Sequence, residues 1–91
     1  MQAKGIKAMM AALEKVGARV CGTTDDFYKE KNEVVGIWIS AESTPEFFDY
    51  WSMKMEWMNC FGVNPKLDAL VRKSGWYFEW HDAGTMMVWP N

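Results

Sequence analysis

Histidine occurs once in this chain, at position 81, and cysteine twice, at 21 and 60, so the side chains that build metal centres and redox pairs are almost missing. Zinc and transition-metal sites usually need three or four converging ligands. Cys21 and Cys60 stand far apart with no Cys-x-x-Cys spacing, which leaves neither a redox motif nor a zinc framework; buried, reduced thiols are the expectation. Glycine never clusters. The seven glycines fall singly at element ends, in strands and in turns, so neither kind of glycine-rich phosphate loop is present. No serine sits in a Gly-x-Ser-x-Gly nucleophile elbow, and no cofactor is implied. Hydrophobic runs are too short to span a bilayer, and residues 1–5 lack the apolar core of a secretory signal, so the expectation is a cytoplasmic protein with no membrane association. The formal net charge is only −2, without the basic excess that phosphate backbones select, and nucleic acid is not an expected partner.

What the chain has is aromatic surface: six tryptophans, five phenylalanines and three tyrosines in 91 residues, more large rings than one small core needs. The length suits one domain over residues 1–91 that folds by packing alone.

The strongest local signal is residues 75–90. Trp76, Phe78 and Trp80 alternate with Tyr77, Glu79 and His81 at the strand period, and Asp82-Ala83-Gly84 supplies a turn with a left-handed glycine. With His81 facing Thr85, Trp80 pairs with Met86, Glu79 with Met87, Phe78 with Val88 and Tyr77 with Trp89.

Upstream, Ile6, Met9, Met10, Leu13 and Val16 form the stripe of a helix over residues 2–16, ended by Gly17. A weakly alternating strand over residues 18–23 leads into a charged connection, residues 24–33, in which Phe27 and Tyr28 are the exceptions. Residues 34–40 read as a strand with Val35, Ile37 and Ile39 on the core face and Trp38 on the other. Ser43-Thr44-Pro45-Glu46 carries the marks of a capped helix start, predicting a helix to residue 58 with Phe48, Trp51, Met55 and Met58 inward. Asn64-Pro65 begins a short third helix that stops at Gly75. The fold class that follows is α+β: a four-stranded antiparallel sheet with helices packed on one face, in the order α-β-β-α-α-β-β.

Two groups of residues carry functional expectations. Glu79, His81 and Asp82 are the best polar cluster, since a carboxylate beside an imidazole can orient it for acid, base or ligand work, although hairpin tips often carry such residues for no chemical reason. Trp38, Tyr77, Met87 and Trp89 should share the sheet face opposite Val35, Ile37, Phe78 and Trp80, forming a contact surface if no helix covers them. The leading reading is a small intracellular protein-binding or regulatory module acting through an aromatic surface, with self-association into a homodimer as one way to occupy it and a mobile-element accessory protein as one setting. A small-molecule binder or small enzyme built on His81 and Glu79 is the alternative. A single-stranded nucleic-acid binder that stacks bases on the aromatic face is a third, with only Arg19, Arg72 and Lys73 to support it.

Overall fold

The computed structural model describes residues 5–51 and 54–91. Helix α1 (Ile6–Val16) turns Met9 and Leu13 wholly inward and ends at Gly17, whose φ of 103° is left-handed as expected. The predicted stripe is shorter than it reads, because Val16 is exposed; residues 2–4 of that helix lie outside the described residues.

Strand β1 (Val20–Thr23) follows, with Cys21 displaced in a bulge, and runs straight into a helical turn, α2 (Thr24–Tyr28). This turn is an addition to the expected order. Its start is a reciprocal cap: Asp26 N–H donates to Thr23 Oγ1 at 3.2 Å, and Thr23 N–H donates to Asp26 Oδ2 at 2.9 Å. The Thr23 N–H and, after it, the Thr23 hydroxyl at 3.1 Å donate to the Asp26 carboxylate and hold it below its ordinary range. Thr-x-x-Asp is the sequence mark of such a cap.

Strand β2 (Ile37–Ser40) is shorter than the predicted 34–40 because Gly36 is bonded on both sides to the buried Thr24, N–H to Oγ1 and carbonyl from N–H, each at 2.9 Å. After β2 the largest departure occurs. The helix predicted to run to residue 58 is reduced to one turn, α3 (Met55–Met58), and Ser43 caps nothing helical; its Oγ accepts from Ser40 Oγ at 2.8 Å. The backbone of residues 47–49 pairs instead with a distant segment: Asp49 N–H donates to the Gly62 carbonyl and Asn64 N–H to the Phe47 carbonyl, both at 2.7 Å, making a Phe48–Val63 bridge. An N–H that donates across the bridge cannot also donate to the carbonyl four residues back, and burial of the Phe48 ring against Phe78 and Trp80 selects the bridge. Residues 52 and 53 of the predicted helix lie outside the described residues.

Helix α4 (Pro65–Lys73) begins where Asn64-Pro65 predicts, with Asn64 Oδ1 accepting from Lys66 N–H at 2.9 Å. It leads into β3 (Trp76–Asp82) and β4 (Thr85–Pro90), whose register from Tyr77–Trp89 to Trp80–Met86 is the predicted one. The loop differs. Asp82, not His81, faces Thr85, and the shift between Trp80 and Asp82 leaves His81 as a bulge residue. Gly84 lies outside the left-handed region. The Asp82 side chain closes the turn by accepting Gly84 N–H at 2.9 Å, so left-handed backbone is not needed. Accepting that bond also keeps the Asp82 carboxyl below its ordinary range.

The four strands form one antiparallel sheet in the order β1-β2-β4-β3. Helix α4 packs along β3 and α1 beside β1, and one buried cluster joins Met9, Leu13, Ile37, Ile39, Val71, Trp76, Met86 and Val88 on that face, with Phe48 and Val63 plugging one end. The fold class is therefore α+β as the alternation implies. No helix among the described residues is long and apolar enough to cross a membrane.

Candidate interaction surface

The sheet face away from the core carries Trp38, Tyr77, Met87 and Trp89, as period-two alternation requires. It is not an open platform. Helix α2 lays Phe27 edge-on against Trp38, with ring centres 5.0 Å apart, and against His81 at 4.8 Å; Tyr28 also contacts His81. Met87, expected at the surface, is almost wholly buried because β4 has a neighbouring strand on each side. Trp38 and Trp89 are half-buried, and of the four Tyr77 is the most open to solvent.

Each member of the predicted polar cluster has a separate engagement. Glu79 Oε1 accepts Trp89 Nε1–H at 3.2 Å, His81 lies against the Phe27 and Tyr28 rings, and Asp82 closes its turn. Among the described residues, no three His, Cys, Asp or Glu side chains converge in a way that could hold a metal ion.

The two thiols differ in setting. Cys21 is exposed and Cys60 half-buried, and both are free. Burial pushes the Cys60 thiol up, and the charge and hydrogen bond of Asp68 add to this, with Arg72 pulling the other way. Asp68 itself is buried and accepts Arg72 Nε–H at 2.9 Å. A thiol reagent is accordingly expected to give one fast and one slow phase, with the fast phase absent in Cys21→Ser. Equal rates at the two thiols would mean that Cys60 does not lie against Asp68.

The exposed apolar surface lies elsewhere, on the excursion that leaves the Phe48–Val63 bridge and returns to it. Trp51 is 75 % exposed, Met55 75 %, Phe61 76 %, Met58 55 % and Tyr50 46 %. Sequence periodicity placed most of these inside a helix. The bridge at its base explains their position, since it spends the backbone of residues 47–49 and sends the following chain outward over the end of β3. There the Tyr50 ring stands edge-on to Trp80 at 5.1 Å and to Trp51 at 4.7 Å, and Trp80 Nε1–H donates to the Phe61 carbonyl. The return is tight. Phe61 is left-handed at φ 54°, an uncommon state for a ring-bearing residue, and Gly62 follows at φ 85°, donating its N–H to the Trp57 carbonyl at 2.7 Å. Between Tyr50, Met58, Phe61, Gly62 and Trp80 the surface sinks into a groove of about 460 Å³.

An isolated exposed apolar residue needs no explanation, but contiguous ones do. At ~150–250 Å² per ring, the exposed parts of Trp51, Phe61 and Tyr50 amount to roughly 400 Å², before Met55 and Met58 are added. The rings alone thus already fall within the size of the largest patch on a typical monomer, roughly 300–600 Å². No family model matches the chain, and no curated protein or solved structure matches it. Geometry and chemistry alone therefore bear on what the surface does.

Proposed function

We propose that the protein is a small intracellular interaction module that binds a protein partner through the lip formed by Tyr50, Trp51, Met55, Met58 and Phe61. The observation that carries this reading is the exposure of Tyr50, Met58 and Phe61 on the walls of one groove, with Trp51 packed edge-on against Tyr50 and Met55 exposed on the same excursion. Aromatic and methionine side chains are the residue types that interfaces enrich, and tryptophan is prominent among the few that dominate binding energy. The rings are held rather than loose: the bridge anchors both ends of the excursion, and Trp80 ties its return strand to the sheet. Less entropy is then lost on binding. The sheet face of Trp38, Tyr77 and Trp89 is a secondary contact area, reduced by Phe27 and by the burial of Met87.

The test is affinity capture from the native host with wild-type protein and a Trp51→Ser/Phe61→Ser double variant in parallel. Proteins held by the wild type and lost from the variant are expected, with the melting temperature little changed because both side chains are exposed. The same proteins captured by both forms would sink the reading.

A further inference from the structure

We infer that the partner seated on this lip is a second copy of the same chain, docked about a two-fold axis. The inference rests on the reading of the lip as an interaction surface and adds the identity of its occupant.

Three observations favour a copy over a foreign chain. First, one patch carries both a projection and a recess. Trp51 stands out beside the groove without lining it, while Tyr50, Met58, Phe61, Gly62 and Trp80 form the groove walls. A two-fold contact uses the same surface on both partners, so it needs complementary shapes offset from the axis on a single patch. Rotation then sets each Trp51 indole into the other copy's groove, where aromatic walls accept it edge-on.

Second, the area is of the right order. Roughly 400 Å² of exposed ring is about half of the ~800 Å² per partner of a standard interface before Met55, Met58 and the polar surround are added. Third, the charges of α3 are mixed: acidic Glu56 and basic Lys54, whose Nζ lies 5.4 Å over the Trp57 ring, line a second depression on the same excursion. A rim of one sign would set like charge against like across a two-fold axis, whereas a mixed rim can pair with itself. A net charge of −2 adds little repulsion between copies.

Sedimentation velocity on the purified full chain, from low to high micromolar, reads the prediction directly. The mass should rise from the 10.5 kDa of one chain toward twice that value. Trp51→Ser should move the midpoint of that rise to at least about tenfold higher concentration, as loss of a buried anchor does. Tyr77→Ser, on the other sheet face, should leave it in place. A chain that stays monomeric throughout overturns the second copy as occupant, while the capture experiment still decides whether the lip binds anything. A dimer that ignores Trp51→Ser, or that Tyr77→Ser dissociates, overturns it too, because the contact then lies on another surface. Met55→Ser, at an equally exposed position, repeats the test should Trp51→Ser lower the melting temperature of the dilute monomer.

Discussion

Gly62→Ala should be among the most damaging single substitutions in the chain, costing about 1–3 kcal/mol from backbone strain alone, with a steric penalty added to it. Gly62 sits at φ 85°, where a side chain is disfavoured, and a Cβ built there would collide with the carbonyl oxygen of Asp49. Neither atom can give way cheaply. The Gly62 carbonyl accepts Asp49 N–H at 2.7 Å, so both are parts of the pairing that closes the excursion. Relief of the clash means opening the Phe48–Val63 bridge and, with it, loosening the lip. A urea titration should show a lower midpoint with an unchanged slope. A variant as stable as the parent would mean that the pairing of residues 47–49 with 62–64 does not exist.

Phe48→Ala should cost about 3–5 kcal/mol, in the range for emptying a buried aromatic site, whereas Trp51→Ala and Met55→Ala should stay within about 0.5 kcal/mol of the parent. Phe48 is almost fully buried and contacts Phe47, Phe78 and Trp80, while Trp51 and Met55 are three-quarters exposed. The comparison separates two structures for one segment. A continuous helix from residue 45 to 58 would place Phe48, Trp51 and Met55 on one inward stripe, and all three truncations would then cost kcal/mol amounts. The bridged excursion makes one side chain core and the others surface. Denaturant melts should be run on dilute protein, so that association through the lip does not stabilise the folded state. Comparable losses at all three positions would restore the helix.

The elements read correctly from sequence are those whose evidence is local. The stripe of Ile6, Met9 and Leu13 with Gly17 behind it, the Asn64-Pro65 start of α4, and the alternation of Trp76 through Trp80 each lie within a few residues of the structure they specify. The hairpin register followed from its side-chain period, and its one error, at His81, arose because the Asp82 carboxylate, by accepting Gly84 N–H, closes a turn one residue tighter than expected. The turn of α2 was missed, residues 24–33 being read as a charged connection, although Thr23 and Asp26 carry the spacing of a reciprocal cap.

The candidate site was not legible, and the reason is physical. Residues 43–58 carry both a helix-start pattern and an apolar stripe, but an apolar stripe states only which side chains avoid water, not whether a surface exists for them to face. That surface depends on Phe48 finding space against Phe78 and Trp80, and on backbone bonds between positions more than a dozen residues apart. The same holds for the far sheet face. Alternation put Trp38, Tyr77, Met87 and Trp89 together, yet only the docking of Phe27 and the placement of β4 between β2 and β3 decided how much of them remains open. Periodicity and caps thus determined the fold class and most of the elements, because they act through bonds and side chains close along the chain. The inward side of Phe48 was foreseen, but the bridge that seats it and the exposure of Trp51, Met55 and Met58 were decided only by tertiary structure, because each depends on which distant segment packs beside it.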